Sequence, residues 1–239
     1  MNKNQVTFIP TDKQAELLVP SPKPSNNYIP QWFKDMPSHL PTIDNTRIDK
    51  TAKRCMPFVD TFTSGYIQEL PCDVQILHKG VNEETGEDII DYNWAGEVRP
   101  LSTRAEDFGS KNVFKGFSGY YNAEFHWNSF WEPKTPAGYS TLYYHPSNRP
   151  DLPFFTLSGI IDTDRWSIHG PVPFLIKKGF TGIIPAGTPI YQMIFIKRDS
   201  WFSSAATYDE DLQRKIRYGV RKFFISAYKK QHWQRKEYS

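Results

Sequence analysis

Cysteine is scarce. The 239 residues contain only Cys55 and Cys72. Neither stands in Cys-x-x-Cys or Cys/His spacing, so the chain offers no thiol metal motif. A bridge across the loop between them stays open as an alternative. Two half-buried thiols in a reducing compartment are the reading taken here. Long apolar runs are missing too: nothing approaches the ~18 residues of a membrane span. The beginning, MNKNQVTFIPTDKQ, has no apolar core segment, and a secretory signal is not expected. There is no internal repeat. Glycine (14) is outnumbered by proline (19), which argues against a helical bundle and for short strands joined by ordered turns.

What is present is aromatic. Rings make up 15% of the chain against 38% hydrophobic residues overall, so burial rests on large side chains. Net charge is only +3, but it is unevenly spread. From Lys197 onward there are eleven Lys/Arg and five Asp/Glu, whereas the remainder holds eighteen and twenty-one. A basic C-terminal segment can contact phosphate or an acidic protein surface, or can simply be a solvated helix face.

The chain divides into a proline-rich arm (1–50), a β domain (51–203) and a basic amphipathic helix (204–239). In the arm, Ile29, Trp32, Phe33 and Met36 are apolar anchors, with a short helix expected around Gln31–Asp35. They imply docking onto the chain's own body or onto a neighbouring subunit. Residues 53–79 read as strand, and Val74–Trp94 as a hairpin closed by the polar cluster around Asn82–Glu87. Residues 97–118 read as loop. Ser140–His145 and Leu152–Ile161 each read as one strand. The ring-dense run Tyr120–Trp131 could stack bases, but with Glu124 its only formal charge it reads as a packed sheet face. Thr207-x-x-Glu210 has capping-box spacing, followed by an apolar stripe of Leu212, Ile216, Val220 and Phe223.

The stretch 156–201 carries the chemistry. Gly159-Ile-Ile-Asp-Thr-Asp164 reads as a strand end with two outward carboxylates. Gly187-Thr-Pro-Ile-Tyr-Gln192 reads as a turn into the buried strand Ile190–Ile196. Ile161, Ile190, Met193 and Phe195 are expected to be shielded. This block resembles motifs of the dUTP pyrophosphatase / dCTP deaminase superfamily, where a Gly-x-Ile-Asp-x-Asp turn precedes a Gly-x-x-Ile-x-Gln strand. The resemblance implies an antiparallel barrel (a β-clip), usually trimeric. By position it implies for Asp162 the role of orienting the attacking water or contacting the sugar; Asp164 beside it is a further catalytic candidate, and His145, Ser147, Arg149, Arg165 and Gln192 are the ligand-binding candidates. The chain departs from that pattern at Arg165-Trp166-Ser167, where an aromatic and a glycine are expected. It also lacks the Pro-Arg-Ser-Gly-Leu phosphate motif, offering His145-Pro-Ser-Asn-Arg149 instead. The phrases TPAGYSTLYYHPSNRPDLPFF and IPAGTPIYQMIFIKRDSW are similar to an uncharacterised family of tailed phages and bacteria.

Two functions from different classes follow. The first is a non-catalytic structural or binding protein of phage type, homo-oligomeric and without cofactor. It would act in the host cytoplasm or the virion, and would meet an acidic or virion partner through the basic helix. The second is a divergent enzyme that hydrolyses or deaminates dUTP or dCTP around Asp162, with magnesium as its only cofactor. An iron-dependent oxygenase using His126, His145 or His169 with Asp151, Asp162 or Asp164 is a lesser third. No resident metal and no membrane are expected.

Overall fold

A computed structural model describes residues 4–109, 116–165, 170–222 and 227–239. The chain runs β1 (Thr7–Pro10), α1 (Lys13–Leu18), β2 (Lys23–Pro24), α2 (Gln31–Asp35), β3 (His39–Pro41), β4 (Ile48–Lys50), α3 (Met56–Thr63), β5 (Tyr66–Glu69) and β6 (Val74–Val81). It continues through β7 (Asp88–Trp94), β8 (Leu101–Thr103), α4 (Arg104–Phe108), β9 (Phe125–Trp127), β10 (Trp131–Lys134), β11 (Tyr139–Tyr144), β12 (Phe154–Thr156) and β13 (Gly159–Ile161). Last come β14 (Val172–Ile176), β15 (Gly182–Ile184), β16 (Pro189–Lys197), α5 (Glu210–Lys222) and α6 (Ala227–Gln231).

The fold is mainly β and antiparallel. Five strands order as β13-β11-β16-β5-β2, four as β12-β14-β9-β8 and three as β15-β6-β7; β1-β10 and β3-β4 are two-stranded. Among the described residues no sheet closes into a barrel. The β6–β7 hairpin forms as its alternation requires. Its turn is held by Asn82 Oδ1, which accepts the Glu84 and Thr85 amides. β13 and β16 also form where expected. Gly187 (φ 79°) lies in the turn before β16, a conformation that glycine adopts without strain.

The core lies between the sheets. Tyr121, Phe125, Trp127 and Phe130 of the ring-dense run are buried in it or beside it. Trp127 stacks on Phe174, with centroids 3.6 Å apart. Its indole N–H donates to Thr156 Oγ1 (3.1 Å), whose hydroxyl donates to the Ile190 carbonyl (2.6 Å). That relay joins β9 and β12 of the four-stranded sheet to β16 of the five-stranded one, and it satisfies polar groups that would otherwise be stranded in an apolar core. Ile190 and Met193 are fully buried as expected; Ile161 and Phe195 are only half-buried.

The N-terminal segment, from Thr7 to Asp35, is stitched into this body. β1 pairs with β10 and β2 with β5. Ala15 and Val19 pack with Val98 and Phe130. α2 forms at Gln31–Asp35, and its Phe33 is buried, 4.6 Å by ring centroids from Phe62.

Elsewhere the structure corrects the sequence. Met56–Thr63 is a helix, not strand. Pro57 sits in its first turn, where no amide partner is needed, and Phe58 and Phe62, four residues apart, share the face that meets Phe33. Within 97–118, Thr103 and Glu106 form a capping box that starts α4. Leu152–Ile161 is two strands, because the Leu157 amide bonds Pro173 and the chain then changes sheet. α5 is capped by Asp209, which accepts the Leu212 amide (2.9 Å), rather than by Thr207.

The α5 stripe, expected to be buried against the β domain or a neighbouring copy, is not covered by its own chain where it is described: Leu212 and Ile216 are 52% and 51% exposed. The Val220 side chain and Phe223 lie outside the described residues. Helical periodicity states that a face seeks burial, not that its own chain supplies the cover. Beyond α6 the chain returns to the body. Trp233 Nε1 donates to both Asp60 oxygens (3.0 and 3.1 Å), Lys236 pairs with Asp60, and the Tyr66 hydroxyl donates to the Ser239 carbonyl (3.0 Å).

Candidate functional site

Strand alternation sets the geometry of the Asp162–Asp164 turn. The chain leaves β13 with Thr163 pointing inward, 3% exposed, and the two carboxylates on the other side, Asp162 half in solvent and Asp164 covered by Arg198. Thr163 Oγ1 lies 2.8 Å from the hydroxyls of both Thr135 and Thr141, an interior hydroxyl triad that anchors the turn.

The two carboxylates meet Arg198, the residue following β16. Its guanidinium grips both oxygens of Asp164; Nη1–Oδ1 is 2.8 Å and Nη2 closes on Oδ2. Asp164 Oδ2 also accepts the Gly138 amide (2.8 Å). Asp162 Oδ1 accepts the Ser140 hydroxyl (2.7 Å) and lies 3.4 Å from Arg198 Nη1. The Arg198 hydrogen bonds, with the Gly138 amide, hold Asp164 well below the usual carboxylate range. The assembly is a clasp: one arginine fork locks the β13 turn to the start of β11. Sequence reasoning missed Arg198. The only signal for it was a Lys-Arg-Asp run directly after a buried strand.

The other predicted residues lie elsewhere. β11 pairs with β16 so that Tyr139 faces Lys197 and Tyr144 faces Gln192. The clasp sits at the Tyr139 end; His145, Ser147, Arg149 and Gln192 sit at the Tyr144 end. Five strand steps separate them, about 17 Å at ~3.4 Å per residue. Arg165 is exposed beside the clasp.

Gln192 is a pin. It is 1% exposed; its Oε1 accepts the Ser147 amide (2.9 Å), and its Nε2 donates to the Thr61 (3.0 Å) and Ser64 (2.6 Å) carbonyls. It ties β16 to the end of α3 and to the 145–151 loop. His145 is equally engaged: Nδ1 accepts the Thr156 amide and Nε2 donates to the Arg149 carbonyl, both at 3.2 Å. Burial lowers its pKa, so the ring is neutral with the proton on Nε2. Arg149 forks onto Asp151 (2.7–3.0 Å).

Beside this loop opens a groove of ≈ 550 Å³ whose lining includes Trp32, Phe58, Tyr120, Phe155, Arg149 and Lys177. Phe155 stacks on His145 at 4.9 Å. The groove is aromatic with a cationic rim, and it draws on the N-terminal segment as well as the β strands.

Of the histidines named for iron, His126 and His145 are each engaged in separate contacts. His126 is buried beside Glu124 (3.2 Å), whose carboxylate also meets Arg104 (3.3 Å). His169 lies outside the described residues. Among the described residues no three His, Cys, Asp or Glu side chains are placed to hold a metal ion. Cys55 and Cys72 are both free thiols. No family model and no curated protein matches the chain.

Proposed function

We propose that this chain is a non-catalytic structural or binding protein of phage type, on a β scaffold of dUTP pyrophosphatase-like kind whose catalytic turn has become a structural clasp. The observation that carries the reading is Arg198. A general base must be free to take a proton near neutral pH. Asp164 is instead bound bidentately by an arginine and by a backbone amide, which stabilises its charged form. Asp162 is already engaged by Ser140, and Arg149 and Ser147 are a strand length away. Phosphoryl chemistry needs several donors aimed at one triphosphate.

On this reading the protein works as a homo-oligomer in the host cytoplasm or the virion. The exposed cations of α5, Arg214, Lys215 and Arg217, suit an acidic partner. No described helix is long and apolar enough to cross a membrane.

The test is direct. Purified protein incubated with dUTP or dCTP and magnesium is expected to release neither pyrophosphate nor ammonia above blank. Release abolished by Asp162→Asn, at unchanged melting temperature, would establish the enzyme alternative and sink this reading.

A further inference from the structure

Two features face solvent without a role. One is the groove of Trp32, Phe58, Tyr120 and Phe155, where Trp32 and Phe155 stand 37% and 38% exposed. The other is the segment after the clasp, where Trp201 and Phe202 are 88% and 95% exposed. Trp201 and Phe202 are adjacent, and a contiguous exposed apolar patch is what marks an interaction surface.

We propose that Trp201 and Phe202 of one copy of this chain dock into the aromatic groove of a second copy, with the acidic run Asp209-Glu210-Asp211 set against Arg149 and Lys177. This rests on the homo-oligomer reading above and gives it a specific contact.

The rings do not occupy the chain's own groove. Arg198 is fixed to Gly138 by a backbone bond (2.8 Å) at the Tyr139 end of β11. The groove begins past the Tyr144 end, about 17 Å off along the strand. Trp201 and Phe202 stand 88% and 95% exposed, so they are presented outward to a second copy.

The chemistry is complementary. Aromatic side chains in an aromatic pocket are the usual anchors of an interface. At the rim, Arg149 and Lys177 outnumber the nearby Asp151, and Lys177 Nζ contacts the Pro150 carbonyl. The docking segment is acidic just before α5, with Glu210 and Asp211 exposed and paired only with Arg214 among the described residues. The segment starts from the fixed clasp at Arg198, so less conformational freedom is lost on docking than from a free tail. Because the groove and the segment are different surfaces, the contact is heterologous. It closes into a ring if the rotation permits.

Light scattering coupled to size exclusion, across a dilution series, tests this. The wild type should exceed the mass of one chain. Trp201→Ser/Phe202→Ser and, separately, Phe155→Ala should each raise the dissociation constant tenfold or more. The first pair is fully exposed and cannot unfold the body; melting curves check the second. A one-to-one mixture of the two variants should restore a two-chain species, since each supplies the half the other lacks. A monomeric wild type overturns both this contact and the homo-oligomer reading. An oligomeric wild type whose mass neither variant changes, or variants that fail to complement, overturns this contact alone.

Discussion

Arg198 ties the acidic turn to the neighbouring strands through a single side chain. Its guanidinium holds both oxygens of Asp164 and stands 3.4 Å from Asp162. The charge on Asp164 should then be felt in stability, with a definite sign. Its folded pKa is depressed, so its contribution is present above the ordinary carboxylate pKa and disappears as pH falls through the folded value. Melting temperatures of the wild type and Asp164→Asn are expected to differ by a steady amount above about pH 5, to begin converging only as pH falls below the ordinary carboxylate pKa of about 4, and to meet only near the depressed folded value. A gap that stays constant with pH would show that the clasp does not depend on the carboxylate charge.

At the scale of elements, the passage from α3 to β5 is a close backbone approach. Gly65 has φ 77°, and a Cβ there would lie 1.9 Å from the Met193 carbonyl oxygen. Its own carbonyl accepts the Ser25 amide (3.0 Å), bringing the N-terminal segment to the same spot. Gly65→Ala should therefore cost at least about 3 kcal/mol, through both backbone strain and overlap. Gly86, also left-handed (φ 68°) but with nothing within 4 Å of a Cβ, is the control. Gly86→Ala should cost about 1 kcal/mol. Urea unfolding of both variants separates the two causes, and equal losses would remove the steric argument. The elements also show why the first part of 53–79 misleads, while Tyr66–Glu69 and the stretch from Val74 are strand as read. The Thr, Phe and Val content of that first part suits a strand, yet the Phe58–Phe62 pair finds its partner only when the N-terminal segment delivers Phe33.

For the whole molecule, the Trp127–Thr156–Ile190 relay joins two sheets that share no ladder. Thr156→Val keeps the shape and removes the hydroxyl, leaving a buried indole N–H and a buried carbonyl without that partner. The expected loss is about 2–4 kcal/mol in the free energy of unfolding. Two-state urea curves would measure it; a loss within error would mean the sheets are held by ring packing alone.

Some of this was legible in the residues themselves. Alternation and polar turns are local, so the β6–β7 hairpin, β13, β16 and the Gly187 turn could be read directly. So could α2 at Gln31–Asp35, α5 by its period, and the ring-dense run as a packed face, which follows from large apolar rings with almost no charge among them. Other features depended on partners distant in sequence. Asp164 is 34 residues from Arg198, and Phe33 is 29 from Phe62. The split of Leu152–Ile161 depends on an amide choosing Pro173. The exposed face of α5 is the same effect in reverse, since its amphipathy is local and its cover is not. Periodicity and turn chemistry act over a few residues and determined the elements. Charge pairing, ring packing and reach act through space, and only the tertiary structure decided which carboxylate is clasped and which rings remain in water.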